Sequence, residues 1–419
     1  QKNDGVVRNK IATSYLRTTL KQNSKMINPI LPSYTRANLR FIEGNGSWLT
    51  SDDGKKYLDM GAGIAVNSLG HAHPKLVKVL KEQADKLWHT SNLYNIPNQE
   101  NLAKKLVKAT FADTVFFTNS GTESMECAVK MARKYHHDNG EINRNEIITF
   151  LDSFHGRSLG MISAAGSTKL TEGFQPVLPG FKQVPFNNYD SVVDNINTNT
   201  AAILIEPIQG EGGIVPSDIT FLKDIRKLCD DHGILLIFDE IQCGVGRTGK
   251  LFAYQNYGII PDIMAIAKGI GGGFPLGACL ATENAAKGMT AGTHGSTYGG
   301  NPLACAVGNV VLEIIDDEKF LKEVNKKSLI ITQKLGYLLD EHPEIFEEVR
   351  GMGLMIGIKC KIPNIDVVNA GYNEGILTVP GGQNVIRLLP PLNITNSEIE
   401  TAIQMLDSCA NTLKKKRSL

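Results

Sequence analysis

The sequence predicts an α/β fold in which a large domain with a mainly parallel sheet is joined to a smaller α+β domain. Two short runs carry this prediction: residues 234–238 (Ile-Leu-Leu-Ile-Phe), which end at Asp239, and residues 262–267 (Asp-Ile-Met-Ala-Ile-Ala), which end at Lys268. Neither run alternates between apolar and polar residues, as is typical of strands covered on both faces. Both charged residues should therefore lie at the carboxyl edge of the sheet, where ligands bind in such folds.

An acid and an amine at neighbouring strand ends suit one kind of cofactor chemistry. The Lys268 amine could form a Schiff base with the aldehyde of pyridoxal phosphate, and Asp239 could keep the pyridine nitrogen protonated so that the ring accepts electrons. The alternative is that the two side chains simply form a buried ion pair. The spacing alone leaves both interpretations open.

Composition sets outer bounds on function. The chain has 419 residues, 42% of them hydrophobic, which is enough for two or three domain-sized units. Its formal net charge of +1 does not indicate a nucleic-acid or membrane surface, and no apolar stretch reaches the ~18 residues of a membrane span. The 7 cysteines are scattered without a Cys-x-x-Cys pair, which favours reduced thiols of an intracellular compartment over disulfides or a zinc site.

Residues 1–25 differ from the rest of the chain. They contain many Lys, Arg, Ser and Thr side chains but only one acid, Asp4. A basic, hydroxyl-rich and acid-poor segment resembles part of an organellar transit peptide, and on this basis we expect a protein of the mitochondrial matrix. The alternatives are a disordered arm and a cytoplasmic protein.

The N-terminal part of the smaller domain is predicted over residues 26–72. A turn-rich pattern between residues 40 and 59 predicts a hairpin or meander there. The large domain, residues 73–312, should open with a helix over residues 73–87. His71 and His73 have too few neighbouring ligands for a metal site, so we expect them to be structural and expect no metal.

Two strand ends in the large domain carry residues suited to a phosphate and a ring. The strand predicted over 114–118 leads to Asn-Ser-Gly-Thr-Glu (119–123) and a helix over 125–135. Free N–H groups at a helix start can hold a phosphate, although an ordinary N-cap has the same pattern. The strand over 147–151 leads to Phe154, which could stack on a ring, and to Arg157, which could hold a carboxylate or simply be solvated.

The second half of the chain predicts more strand ends and then the C-terminal small domain, residues 313–419. A strand over 201–205 ends in acids and glycines (206–213), and a helix over 221–232 leads to the strand that ends at Asp239. Residues 244–249 match G-x-G-x-x-G, but no long helix follows them, so we predict a loop rather than a dinucleotide site. The prediction ends with helices between 303 and 341, three short strands from 353 onward, a helix over 397–405 and a frayed basic tail.

Six linked motifs resemble, in order and spacing, the class-III subgroup of fold-type I pyridoxal-phosphate aminotransferases over about residues 27–410. They are Asn119-Ser-Gly-Thr-Glu123, Ser153-Phe-His-Gly-Arg157, Glu206-Pro-Ile-Gln-Gly-Glu211, Phe238-Asp-Glu-Ile-Gln242, Ala267-Lys-Gly269 and His294-Gly-Ser-Thr-Tyr-Gly-Gly-Asn-Pro302. Residues 63–70, 89–92 and 387–392 look most like the members that act on N-acetylornithine. The resemblance implies a large domain with a mainly parallel seven-stranded-type sheet and a small domain built from both chain ends.

The resemblance also implies a role for each matched residue. Lys268 would form the Schiff base and shuttle a proton, and Asp239 would pair with the pyridinium nitrogen. The other implied cofactor contacts are Gly121 and Thr122 at the phosphate, Phe154 on the ring, Gln242 at the ring hydroxyl, and Thr297 at the phosphate of the neighbouring subunit's cofactor. The implied substrate contacts are Arg157 and Ser296 for the acetylornithine carboxylate, Arg387 for the α-carboxylate of glutamate and 2-oxoglutarate, and Glu211, which masks Arg387 in the other half-reaction.

The activity implied is a ping-pong transfer of the δ-amine of N-acetylornithine to 2-oxoglutarate by a homodimer, as part of arginine biosynthesis. Arg157, Ser296 and the adjacent His155 include no acid to pair with the α-ammonium of free ornithine, so we expect the acetylated donor to be preferred. Ornithine, succinylornithine and 4-aminobutyrate remain alternative donors. A cofactor-binding protein without turnover and a nucleotide-binding protein are the alternatives outside this class.

Overall fold

The computed structural model describes residues 29–417, so the leader-like residues 1–25 lie outside the described part of the chain. The chain divides after Arg40 into two compact units. The described part of the first unit, residues 29–40, contains no helix or strand. The second unit begins at Phe41 and holds all the elements described below.

A seven-stranded sheet forms the centre of the second unit, in the order β4-β12-β11-β10-β7-β5-β6. Its strands are β4 (Thr114–Thr118), β5 (Glu146–Phe150), β6 (Phe181–Val184), β7 (Thr200–Ile205), β10 (Leu235–Asp239), β11 (Ile263–Ile266) and β12 (Gly277–Ala281). Only β12 runs antiparallel to its neighbours, β11 and β4. Strands β7, β10 and β11 are buried along their whole length. The prediction of a mainly parallel, seven-stranded sheet is therefore confirmed.

Helices precede, connect and follow the strands of this sheet, and parallel strands need apolar cover of this kind. In chain order they are α1 (Pro74–Ala84), α2 (Pro97–Ala109), α3 (Gly121–Asp138), α4 (Leu159–Ala164), α5 (Thr168–Thr171), α6 (Tyr189–Asn195), α7 (Ile219–His232), α8 (Tyr254–Tyr257), α9 (Glu283–Ala286), α10 (Pro302–Ile315) and α11 (Glu318–Glu341). The longest within the sheet region, α3, starts directly after β4. Its buried face packs in one apolar cluster with residues of β10, β11 and β12, which places its first turn at the sheet edge.

Two smaller sheets are formed by strands from the first and last parts of the second unit. The first joins β1 (Phe41–Asn45), β2 (Trp48–Ser51) and β3 (Lys56–Asp59) to β15 (Ile376–Leu377). The second has the order β13-β14-β17-β16, formed by Phe346–Met352, Met355–Cys360, Val385–Leu388 and Val379–Gly381. A two-stranded ribbon pairs β8 (Ile208–Gln209) with β9 (Val215–Pro216). The parallel pairing of β15 with β3 brings both ends of the chain into one sheet, while the domain boundaries stay predictions.

The C-terminal tail differs from the prediction of a frayed segment. After α12 (Asn364–Glu374), helix α13 runs from Asn396 to Arg417. Lys414 pairs with Glu344 at 2.6 Å and Arg417 with Asp366 at 2.9 Å. Burial of Leu413 shows that the apolar face of α13 continues into the basic run. None of the helices within residues 29–417 combines the length and the hydropathy of a membrane span.

Candidate active site

Asp239 and Lys268 lie at the same edge of the central sheet and line one cavity of about 330 Å³. Their strands are parallel neighbours, and Asp239 is in register with Ala265 of β11. Lys268 lies two residues after the end of β11, as the first residue of a 3₁₀ turn, Lys268–Gly271. The prediction that both side chains meet at the carboxyl edge of the sheet is confirmed by this register.

Lys268 is held in a strained backbone conformation beside other charges. Its φ of 47° lies in the left-handed region, which costs energy for a side chain of this size. Burial of the amine and the nearby positive charge of Arg387 lower its pKa to about 8, against the opposing charges of Glu211 and Asp239. At neutral pH a useful fraction of the amine is therefore unprotonated and able to act as a nucleophile.

The Asp239 carboxylate is fixed by two donors. Oδ1 accepts a hydrogen bond from Ile241 N–H at 3.0 Å, and Oδ2 lies 2.8 Å from Nδ1 of His155. The side chains of both partners are buried, with exposures of 3% for Asp239 and 0% for His155. Burial opposes a charged imidazole, but the hydrogen bond and the charge of Asp239 outweigh it, so the pKa of His155 is raised.

His155 therefore occupies a different place from the one that the sequence suggested. From the sequence we expected His155 to lie beside Arg157 and Ser296, at the end of the site that binds the amine donor. Instead it is buried against Asp239, and its Nε2 has no hydrogen-bond partner among the described residues. A second buried acid, Glu206, lies near this pair. Its burial and the charge of Asp239 raise its pKa to about 8, while the charge of His155 opposes this rise.

The start of helix α3 forms another wall of the cavity. Ser120 caps the helix through its side chain, which accepts from Glu123 N–H at 3.3 Å. Gly121 and Thr122 follow in the first turn and line the cavity, where backbone N–H groups have no partner within the helix. Close packing needs Gly156 here, because a Cβ at that position would lie 2.3 Å from Thr122 Oγ1. The predicted N-cap is thus observed, and anion binding at the same turn stays a prediction.

Phe154 and Gln242 also line this cavity. The Oε1 atom of Gln242 is buried and has no hydrogen-bond partner among the described residues. A Cβ on Gly210 would lie 2.4 Å from that atom, so the glycine is needed to seat the amide. Val66 and Leu276 are among the apolar residues of the wall. Sequence reasoning did not single them out, because an apolar residue in a loop carries no chemical signal.

Arg387 and Glu211 form a bidentate pair on the cavity side of the small sheet. Arg387 donates from Nη1 to Glu211 Oε1 at 2.7 Å and from Nη2 to Oε2 at 3.1 Å. The Arg387 side chain is 1% exposed, whereas that of Glu211 is 34% exposed. Glu211 is thus the partner with room to move.

Arg157, Ser296 and Thr297 do not line the cavity that holds Lys268. Ser296 and Thr297 line a neighbouring cavity of about 450 Å³, and Thr297 is exposed. Ser296 Oγ accepts from Gly299 N–H at 2.9 Å. Arg157 is exposed, with its guanidinium 5.4 Å from the centre of the Phe154 ring. Phe154 therefore stands between the Lys268 cavity and Arg157.

Proteins of known function match nearly the whole chain. Acetylornithine aminotransferase from Rhodobacter capsulatus is 58% identical over 389 residues, which span 93% of this chain and 99% of that protein. The crystal structure of N-acetylornithine aminotransferase from Stenotrophomonas maltophilia has a TM-score of 0.81 at 36% identity, covering 92% of this chain and 99% of the other. The ornithine aminotransferase of Toxoplasma gondii has a TM-score of 0.89 at 29% identity, covering 99% and 100%.

These relatives correct the predicted location. Curated relatives at 54–58% identity come from Rhodobacter, Mesorhizobium, Agrobacterium and Brucella, all of which are bacteria without mitochondria. The mitochondrial prediction is therefore wrong. It rested on the charge and hydroxyl content of residues 1–25, and such a composition is not specific to import.

The family comparison agrees with the arrangement at the sheet edge. The model of the family "Aminotransferase class-III" matches residues 32–410, which include Asp239, Lys268 and the Glu211–Arg387 pair. Over the same stretch, the six sequence motifs lie around or beside the Lys268 cavity. The chain belongs to the class-III aminotransferase family.

Proposed function

We propose that this chain binds pyridoxal 5'-phosphate above Asp239 and Lys268 and converts N2-acetyl-L-ornithine and 2-oxoglutarate to N-acetyl-L-glutamate 5-semialdehyde and L-glutamate. The observation that carries the proposal is an amine with a lowered pKa and a buried carboxylate that share one cavity in a class-III chain. The donor is inferred from relatives that are acetylornithine aminotransferases at 51–58% identity. The product semialdehyde places the reaction in L-arginine biosynthesis.

The residues present fit the cofactor at each of its polar groups. The helix start at Gly121 and Thr122 offers N–H groups and a positive dipole to a phosphate. The buried Oε1 atom of Gln242, which has no partner among the described residues, would be a contact for the ring hydroxyl. Asp239, held by His155 and a backbone N–H, is the counter-charge for a pyridinium nitrogen. Phe154 supplies an aromatic face at the cavity wall.

Pyridoxal phosphate supplies an aldehyde that reacts with amines and a ring that accepts electrons. The protein's part would begin with Lys268, whose neutral Nζ would hold the cofactor at its aldehyde and would take the proton from the donor's δ-carbon. A pKa of about 8 suits both steps near neutral pH, since the amine exchanges a proton at little cost.

Asp239 and His155 would act as a unit toward the ring nitrogen of the bound cofactor. His155 donates to Asp239 from a buried position, so the carboxylate is oriented without contact with water. A raised pKa for His155 keeps a positive charge beside Asp239 over a wider pH range. In our proposal this pair holds the ring nitrogen in its protonated form.

Arg387 and Glu211 let one cavity serve two substrates. While Glu211 neutralises Arg387, a δ-amine donor meets no free guanidinium on that side. When 2-oxoglutarate arrives, its α-carboxylate can replace Glu211 on the two Nη donors, a bidentate arrangement that Arg favours. The exposed Arg157 and the half-buried Ser296 are assigned to the carboxylate at the far end of the donor.

We propose a homodimer, because Thr297 lies outside the Lys268 cavity of its own chain and is exposed. In a dimer it would reach the phosphate in the partner subunit's cavity. Analytical ultracentrifugation combined with an activity assay across a dilution series tests this proposal. An active monomer at nanomolar concentration would contradict it.

The second candidate is a δ-aminotransferase that prefers free ornithine. It is favoured by one observation, the TM-score of 0.89 to the Toxoplasma gondii ornithine aminotransferase, against 0.81 to the Stenotrophomonas maltophilia N-acetylornithine enzyme. Backbone similarity, however, reports the scaffold that both activities share. Identity of 58% to an acetylornithine aminotransferase against 29% to the ornithine enzyme favours the first candidate.

Absorbance of the purified protein tests the proposal. With pyridoxal phosphate present, a visible band should form and should bleach when N-acetylornithine is added, then return with 2-oxoglutarate. A band that does not bleach with any of the donor amines would indicate a cofactor-binding protein without turnover. If the protein does not bind the cofactor at all, both an aminotransferase and a cofactor-binding protein without turnover are excluded.

A further inference from the structure

The loop that carries Glu211 is anchored at that residue and again two residues after it. Gly382 N–H donates to the Glu211 carbonyl at 2.7 Å. Two residues on, the Gly213 carbonyl accepts from Arg350, which donates from Nε at 2.9 Å and from Nη2 at 2.7 Å. The backbone at Glu211 and just after it is therefore held, while the Glu211 side chain, 34% exposed, has room to turn.

Arg350 also contacts the hairpin that carries Arg387. Its Nη2 donates to Gln383 Oε1 at 2.7 Å, and Gln383 lies in the turn between β16 and β17. Arg387 follows on β17. The Arg350 side chain, projecting from β13, is only 15% exposed. One guanidinium thus links the Glu211 loop to the turn before Arg387.

Close backbone packing leaves the anchored loop little room to shift. A Cβ on Gly213 would lie 2.6 Å from the Gly382 carbonyl oxygen and 2.9 Å from Arg350 Nη2. A Cβ on Gly382 would lie 2.8 Å from the Gly212 carbonyl oxygen. Because only glycines permit this approach, the loop and the hairpin are fitted to each other along several residues.

We propose that Arg350 is a positioning residue that holds Glu211 against Arg387 and so sets how readily a substrate carboxylate displaces Glu211. The inference rests on the proposed function, in which Arg387 receives the α-carboxylate of 2-oxoglutarate. Arg350 makes its described contacts with the loop, the hairpin turn and Glu348, so its effect is exerted through Glu211.

The structure fixes the direction of the effect. Arg387 keeps supports that do not involve Arg350: its Nη2 donates to the Pro380 carbonyl at 2.9 Å, and β17 pairs with β14 at Gly357. Removing the Arg350 guanidinium therefore loosens Glu211 and leaves Arg387 in place. A dicarboxylate should then bind more tightly, because it competes with a weaker internal partner. A general loss of structure would weaken binding instead.

The test is a calorimetric titration of the holoenzyme with glutarate, a dicarboxylate that cannot be transaminated. Arg350→Ala should lower the Kd for glutarate about tenfold, the scale of one hydrogen bond to a charged group. KM for 2-oxoglutarate should fall with it, while kcat with N-acetylornithine is retained. Arg350→Lys keeps one donor near Gly213 but loses the fork, so its Kd should fall about threefold.

Arg226→Ala is the matched control. Arg226 is also a half-buried arginine, 19% exposed, with ion pairs to Asp230 at 2.7 Å and Asp262 at 2.8 Å. Arg226 is not among the residues that we assign to the cofactor, the substrates or the Glu211 loop. The Arg226→Ala variant should therefore bind glutarate like the wild type.

Unchanged or weaker glutarate binding in Arg350→Ala overturns the inference. If that variant does not fold, Arg350→Lys decides, and a Kd equal to that of the wild type overturns it. A wild-type holoenzyme that neither binds glutarate nor turns over would contradict the proposed function itself, which separates the two failures.

Discussion

The cofactor end and the substrate end of the site hold their charges in different ways. At the cofactor end, Asp239 and His155 are buried, and each is the other's partner at 2.8 Å. At the end that we assign to the substrates, Arg157 is exposed, and Arg387, itself only 1% exposed, is paired with an acid that is 34% exposed. A pair that is buried on both sides is costly to break, whereas an acid with access to solvent leaves its partner more easily when another carboxylate replaces it. In our proposal the cofactor end therefore stays fixed, while Glu211 at the substrate end gives way to a substrate carboxylate.

Lys268 connects these two ends, and removing it should have the largest effect. Lys268→Ala takes away the nucleophile and the proton carrier, so turnover with N-acetylornithine and 2-oxoglutarate should fall by on the order of 10⁴-fold. The fold should be nearly unchanged, which circular dichroism can check. Lys287→Ala, an exposed lysine over the Tyr135 ring, is the control. Turnover of Lys268→Ala near the wild-type rate would refute the assignment.

The substrate end is tested by the choice between two δ-amine donors. N-Acetylornithine carries a neutral amide where ornithine carries an α-ammonium, which would lie poorly paired beside Arg157. We expect kcat/KM to favour N-acetylornithine by roughly 10- to 1,000-fold. Arg157→Ala should remove most of this preference by raising KM for the acetylated donor.

Arg133→Ala serves as the control for this experiment, because its guanidinium also lies over a phenyl ring, 5.3 Å from the centre of Phe181. The preference should survive in that variant. Equal kcat/KM values for the two donors in the wild type, or a preference for ornithine, would move the assignment to ornithine transamination.

The two ends also differ in how far the sequence predicts them. Asp239 and Lys268 end apolar runs, and strand pairing alone brings such residues to one edge. The Arg387–Glu211 pair joins residues far apart in the chain, so it came from the family resemblance rather than from any periodicity. His155 was placed at the wrong end because it is close in sequence to Arg157, which is exposed, whereas His155 itself is buried against Asp239. Sequence proximity does not tell which way each side chain of a loop points.

Missed elements have comparable causes. Strand β12, Gly-Ala-Cys-Leu-Ala, has no β-branched residue and gave no strand pattern. The basic end of α13 was taken as solvated because of its lysines, yet the apolar positions Cys409, Ala410 and Leu413 continue the buried face. The helix continues to Arg417 because apolar residues at helical spacing are buried, although the surface of this segment is strongly basic.

At the cofactor end, Asp239→Asn should show how much the fixed pair contributes. An amide in place of the carboxylate keeps the size of the side chain but removes the counter-charge, so we expect cofactor to be retained and kcat to fall about 10²-fold. The cofactor content follows from absorbance, and the rate from a steady-state assay. An unchanged kcat would mean that the acid has a structural role only.

The smallest expected effect concerns pH and the Lys268 amine, where the two ends meet. Its pKa of about 8 lies below the ordinary lysine value, so the neutral amine is a minor species below pH 8 and the main one above it. The rate at which apoprotein takes up pyridoxal phosphate should therefore rise about tenfold per pH unit between pH 6 and 7.5 and level off above 8. Arg387 contributes to the lowered pKa through its positive charge, and Glu211 opposes it. Glu211→Gln removes an opposing negative charge, so the midpoint should move to lower pH in that variant. Stopped-flow absorbance at constant ionic strength measures both profiles, with Lys268→Ala as the control that lacks the step. A midpoint near the ordinary lysine value in the wild type, or a shift to higher pH in Glu211→Gln, would show that burial and Arg387 do not set the reactivity of this amine.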